Sequence, residues 1–394
     1  MPLRPHRIAF AYAYILLVVV VLAGGIYVVH NLIATYGAGS AAQVPVTTYE
    51  MSAPVHAMLD ANKEGDYVSA QADYDAIIRS ATSTADDRAL AILNGAGLAF
   101  RTSNDEQFML QHIPLFKSVV EDKNVSLALH VAAINALASA YCGSGRTWAV
   151  FQEIYKGDPY STFLVPNDPD HSGRNMFLWS YQQMPTGDAA ISLAKNFAGQ
   201  AIIDKNNNRI TEYNTDIESS KYYLAQADIL EPQQKQLMGA DYDSSFRYAL
   251  YLYWRAYTVA ILAHYEGEPY LSEYKQDYDK FTTLYENAPG IQYRYVGYAH
   301  LLYGYFLSWN SPAVGTNKDA SHVQFSAAIA LAKKDPYFDT DPLVRLIRNE
   351  EYLRVTKGIY QGPFSSAIAH AKSKSPKFAA FVQMLLATST KTSS

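Results

Sequence analysis

Between Ile8 and Val29 the chain carries no charged residue: MPLRPHR is followed directly by IAFAYAYILLVVVVLAGGIYVV. At 1.5 Å per residue these 22 positions make a helix of about 33 Å, enough to cross a hydrocarbon core of about 30 Å. Residues 8–30 therefore predict a transmembrane helix or signal anchor. The apolar region of a cleaved signal is shorter, roughly 7 to 15 residues, although the small residues Gly37 to Gln43 leave a cleavage site open and with it a secreted product. Arg4 and Arg7 precede the run, and the first basic residue after it is Lys63, so the positive-inside rule places residues 1–7 in the cytoplasm and the bulk of the chain outside the cell membrane. Tyr12, Tyr14, Tyr27 and Tyr36 fall towards the ends of the run, where amphipathic rings favour the interface.

Residues 31–49 are small and polar and read as a linker. Beyond it the composition is that of a folded domain: 49% of the 394 residues are apolar, 18% are charged, and 21 glycines with 17 prolines are too few for a disordered chain. The net charge of −5, with acids and bases interspersed, offers no basic stripe for a phosphate backbone, which excludes nucleic acid as a partner. The one cysteine, Cys142, allows no disulfide within the chain and lacks the neighbours of a zinc site.

From residue 50 to about 388, apolar residues recur at helical spacing between short breaks, with no sustained strand-type alternation. The fold class is all-α. Its helices look paired. In EGDYVSAQADYDAII, Gly65 supplies a turn and Tyr67 an aromatic after it, Ala70 allows close helix approach, and Tyr74 and Ile77 fill the gap one and two turns later. Ala91 to Phe100 and Ala132 to Tyr141 repeat a small-residue-rich helix ending in an aromatic. Tyr295 to Trp309 with His322 to Lys334, and Pro342 to Val355 with Phe364 to Ala371, continue the rhythm, and Pro376 to Ala387 would cap the array.

The Gly65 to Ile77 segment resembles the second half of a tetratricopeptide repeat. That resemblance implies an α-solenoid of antiparallel helix pairs, a TPR-like right-handed superhelix with a concave binding surface. The complete first-helix pattern of that family is absent and the unit length varies. On this reading residues 50–159 are N-terminal helical repeats, 160–240 an irregular insert marked by the turn-rich YSTFLVPNDPDHSGRNMF and by a polar stretch, Asn206 to Gly239, read as helices flanking another loop, 241–388 an aromatic-rich C-terminal set of repeats, and 389–394 a disordered tail.

Motifs for chemistry are sparse. Asp204, Asn206 and Asn208 open like a calcium loop, but Arg209 stands where the sharp turn needs glycine and Thr215 where a bidentate glutamate belongs. Asp168, Asp170 and His171 fit turn chemistry better than a metal site. No metal or other cofactor is expected. There is no HExxH, no GxSxG and no phosphate-cradling glycine loop; Cys142 to Arg146 reads as an interhelical turn. His264 and His300 sit on aromatic-rich helices as packing residues, Glu268 and Glu273 suit a helix start after Pro269, and no two carboxylates can be paired as acid and base.

The aromatics give the remaining signal. Tyr242 to Trp309 holds 20 aromatic residues in 68 positions, against 13% in the whole chain, so the enrichment is local. Tyr270, Tyr274, Tyr278, Phe281 and Tyr285 step by helical intervals along one face, matched on the preceding helix by Phe246, Leu250, Tyr253, Tyr257, Ile261 and Tyr265. These two stripes predict a packed hairpin. Tyr248, Tyr251 and Trp254 lie off the stripe, and with Arg255 they form the predicted partner-binding face, since rigid amphipathic rings anchor partners well. The expected function is a membrane-anchored, extracytoplasmic scaffold for protein–protein interaction or envelope assembly. A glycan- or peptide-binding module with an aromatic groove is the alternative, and an enzyme the third reading.

Overall fold

The computed structural model describes residues 51–102, 105–142, 158–166, 168–238, 246–288, 293–307, 318–339, 344–345, 348 and 376–387. The expected span at 8–30, the linker at 31–49, most of the helix expected at Pro342 to Val355, the helix expected at Phe364 to Ala371, and the tail at 389–394 lie outside the described residues. No described helix is long and apolar enough to cross a membrane. All described residues belong to one compact unit, Glu50–Ser394.

Its described residues form helices joined by short turns, with a single isolated bridge, Val165 to Asp168, and no sheet among them. In chain order the helices are α1 (Ala53–Glu64), α2 (Tyr67–Arg79), α3 (Ala85–Thr102), α4 (Asp105–Glu121), α5 (Leu127–Cys142), a 3-10 turn (Pro159–Phe163), α6 (Pro169–Gln183), α7 (Gly187–Asn206), α8 (Ile210–Met238), α9 (Phe246–Glu266), α10 (Tyr270–Tyr285), α11 (Tyr293–Leu307), α12 (Lys318–Ala332), the single turn α13 (Pro336–Asp339) and α14 (Pro376–Ala387). Consecutive helices pack on one another from α1 to α13.

The first hairpin forms as its residues dictate. Gly65 adopts φ +82°, the left-handed conformation that closes α1, and Asp66 caps α2 by accepting the Ser69 N–H at 3.1 Å. Ala70 and Ile77 are buried on the shared face. The ring of Tyr74 lies directly over Gly95 of α3, so close that a Cβ there would meet ring carbons at 2.5 Å.

Within residues 160–240, expected to be an irregular insert, the described residues from 169 to 238 form three regular helices, α6, α7 and α8, joined by short turns. Pro169 occupies the first position of α6, where a proline costs no hydrogen bond, and Asp168 caps it by accepting the His171 N–H at 2.9 Å. The polar α8 is a helix because one narrow stripe, Tyr213, Ile217, Ser220, Leu224 and Ala227, is buried at steps of 4, 3, 4 and 3 against α7. Its remaining surface is mostly polar, with Ile210, Tyr222 and Ile229 exposed among charged and amide side chains, and this mixture hides the period from a reading of composition.

α7 is the centre of the fold. Ala189, Ala190, Ala194, Ala198 and Ala201 are fully buried, small enough to let α6, α8, α9 and α14 all approach it. The contact between α7 and α14 joins segments far apart in sequence, unlike the neighbour-to-neighbour contacts from which a solenoid is built. Pro376–Ala387 forms the helix expected for it, but packs on α7 and α11.

Candidate functional site

The aromatic hairpin of α9 and α10 is a packing seam. Tyr253, Tyr257 and Ile261 of α9, and Tyr274, Tyr278, Phe281 and Tyr285 of α10, are buried in one apolar cluster, with Tyr265 and Tyr270 partly buried at its edge. Tyr278 stacks on Tyr303 with ring centroids 3.9 Å apart. Its hydroxyl donates to Gln324 Oε1 and also meets His300 Nδ1, while His300 Nδ1 and Gln324 Oε1 are 2.8 Å apart. An Nδ1–H tautomer satisfies this triangle, and burial lowers the His300 pKa, which favours that neutral form.

The four predicted partner-binding residues are not presented to solvent. Tyr248 is buried, stacks on Tyr251 at 6.1 Å, and holds Lys280 against its ring and hydroxyl. Tyr251 is buried and donates its hydroxyl to Asp228 Oδ1 at 3.1 Å. Trp254 is half-buried, with Lys195 Nζ 3.7 Å from its ring centroid and the rings of Tyr253 and Tyr257 against its edges. Arg255 pairs with Asp228 through Nε and Nη2, both at 2.9 Å, with Asp277 through Nη1, and with Glu273 at 3.3 Å. The physical reason is helix crowding: α7, α8 and α10 all cover the off-stripe face of α9 and satisfy its polar tips. Arg255 is thus a clamp joining α8, α9 and α10. Burial pushes the Asp277 carboxyl up to about 6, against the attraction of Arg255.

A different arrangement lies where α6, α7 and α9 meet α14. Lys377, at the second position of α14, is 6% exposed, and its Nζ donates to Asn196 Oδ1 at 2.6 Å. The amide of Asn196 donates in turn to the Asp170 carbonyl at 2.9 Å. Asp170 closes the ring, for its carboxylate accepts the backbone N–H of Lys377 at the positive end of α14. Burial raises the Asp170 pKa, and the charges of Lys377 and Lys195 work against that rise. Gly199 makes room for the lysine stem, which lies 3.1 Å from where a Cβ would stand. One turn along α14, Phe381 packs on Tyr257 with ring centroids 4.3 Å apart.

Lys377, Ala379, Ala380, Phe381 and Met384 are buried, four of them at spacing i, i+3, i+4 and i+7 from Lys377, while Gln383 faces solvent. This is the spacing by which an amphipathic helix enters a groove. Of these residues only Asp170 and Tyr257 drew notice in the sequence, the first as a turn residue and the second as packing. The spacing within Pro376–Ala387 was legible; its docking position on α7 was not.

A second polar cluster joins α7 to α8. Asp204 accepts from Gln200 Nε2 and Arg209 Nε, each at 3.0 Å, so a guanidinium occupies the start of the calcium-like stretch. No group of three or more metal-ligating residues occurs among the described residues. Burial, with the Asp204 carboxylate alongside, pushes Asp216 up to about 7. Asp204 is held below the ordinary range: burial opposes its charge, but hydrogen bonds from Arg209, Asp216 and Gln200 outweigh it. The structure therefore pairs two carboxylates that spacing alone left apart. Comparison with protein-family models, curated proteins and solved structures finds no match to this chain.

Proposed function

We propose that this chain is a membrane-anchored scaffold whose extracytoplasmic helical domain binds other proteins, and that the groove between α7, α9 and α11 is the binding face. The uncharged run Ile8 to Val29 supports the anchor, and the Gly65 hairpin supports a TPR-like origin for the N-terminal helices. One observation carries the reading: the groove already receives a helix through anchors at i, i+3, i+4 and i+7, with a polar ring at its mouth and an aromatic plate one turn deeper. The glycan-binding alternative has less support, because Tyr248, Tyr251 and Trp254 are engaged by Lys280, Asp228 and Lys195.

The test is site-specific photo-crosslinking of the full chain in native membranes, with the reactive group at Lys195 on the rim of the groove. A protein adduct should form, map to a helical segment of the partner, and disappear in an Asn196→Leu variant. An adduct that survives Asn196→Leu, or one that contains only glycan, would sink the proposal.

A further inference from the structure

We infer that α14 is an intramolecular competitor for this groove, and that a partner binds by displacing it with an amphipathic helix carrying a lysine at its second position, a small residue three further on and an aromatic four further on. The inference rests on the proposed function, and it names the partner's chemistry and the device that regulates access.

Three features make α14 exchangeable. It spans 12 residues, a length at which an isolated helix is marginal in water, so it is helical because it is docked. One of its four anchors is the buried ammonium of Lys377. Removing that charge from water offsets much of what its pairing returns, so the lysine supplies register more than strength. Finally, a cavity of about 20 Å³ remains beside Phe381, lined also by Tyr253, Tyr257, Tyr278 and Phe281. That is space for about one water. The chain's own phenylalanine does not fill its pocket, and a tryptophan at that position would fill more of it.

The recognition chemistry reads directly from the groove. The Asp170 carboxylate takes the exposed N–H of a helix N-terminus, Asn196 Oδ1 takes an ammonium, and Gly199 admits the unbranched stem that carries it. The face of Tyr257 takes the aromatic ring. A helix offering glutamate in place of the lysine would set a carboxylate beside Asp170 and be rejected.

The experiment uses the full chain in detergent micelles and a fluorescent peptide with the sequence of Pro376–Ala387 as probe. In Phe381→Ala, which loosens α14, the probe should bind at least tenfold more tightly than to the wild type. The second arm offers Phe381→Ala the same peptide with glutamate at its second position, which would set a carboxylate beside Asp170 and should bind at least tenfold more weakly than the lysine peptide. Circular dichroism of Phe381→Ala and wild type shows that the fold is otherwise unchanged. Equal binding of the two peptides by Phe381→Ala, or equal binding of the lysine peptide by Phe381→Ala and wild type, would overturn the inference. The proposed function fails separately, if Phe381→Ala takes up the lysine peptide yet the full chain crosslinks to no protein in native membranes.

Discussion

Replacing Arg255 with methionine keeps most of the stem and deletes the charge, which makes it a clean probe of the clamp between α8, α9 and α10. Asp277 is the partner that decides the cost, since its side chain is 11% exposed, whereas that of Asp228 is 44% exposed. Removing one member of a buried ion pair costs about 3–5 kcal/mol, while an exposed pair contributes about 0–1 kcal/mol. Water can solvate Asp228 and Glu273 after the substitution, so a loss near the lower bound, about 3 kcal/mol, is expected at pH 8. The pH dependence follows from the Asp277 carboxyl, whose folded pKa is raised to about 6. A raised carboxyl holds a proton in the folded state that the unfolded state releases, so its contribution to stability falls as pH rises through the window between about 4 and 6. Without Arg255 that window extends above 6, and the variant loses further stability between pH 6 and 8. At pH 5 Asp277 is largely neutral in both proteins, and the cost of Arg255→Met should shrink to about 1 kcal/mol. Urea unfolding of wild type, Arg255→Met, Asp277→Asn and the double variant at pH 5 and pH 8 measures this as a cycle. The reasoning is refuted if Arg255→Met costs less than about 1 kcal/mol at pH 8, or costs the same at both pH values.

The two aromatic classes should separate in the same assay: Tyr278→Ala removes a buried ring and should cost about 3–5 kcal/mol, whereas Trp254→Ala, half-buried under Lys195, should cost about 2 kcal/mol. Equal losses would place Trp254 in the core proper. The Asp204–Asp216 pair should make stability fall as pH rises from about 4 to about 7, by at most about 1.4 kcal/mol per pH unit, because the folded pair keeps one proton that the unfolded chain has lost. Asp216→Asn should flatten that slope, and an unchanged slope would show that another group carries it. Protease added to intact cells with a permeable envelope should digest the chain beyond about residue 45, as Arg4 and Arg7 require; complete protection would reverse the proposed topology.

Local order was legible wherever it depends on near neighbours. The stripe Tyr274, Tyr278, Phe281 and Tyr285 follows from the 3.6-residue period, the Gly65 turn from a conformation that only glycine adopts without cost, and the bounds of Pro376–Ala387 from a proline and an apolar run. Each signal spans a few turns of helix, and the physics behind it acts over the same distance. Arg255 and Trp254 show where that reach ends. Their stripe position was readable, but their exposure depended on which helices cover α9, and Asp228, Asp277 and Lys195 come from three different elements. Residues 160–240 show the same limit: Pro169 and its neighbours read as a long loop, and the polar stretch of α8, although a candidate for helix, shows no face to pack until α7 is present to bury one narrow stripe. By itself the sequence determined an all-helical domain behind an uncharged membrane-length run, together with the internal face of its aromatic hairpin. Only the tertiary structure decided that α7 is the centre and that Lys377 reaches Asn196, because a contact between residues 181 apart leaves no periodic trace in the chain between them.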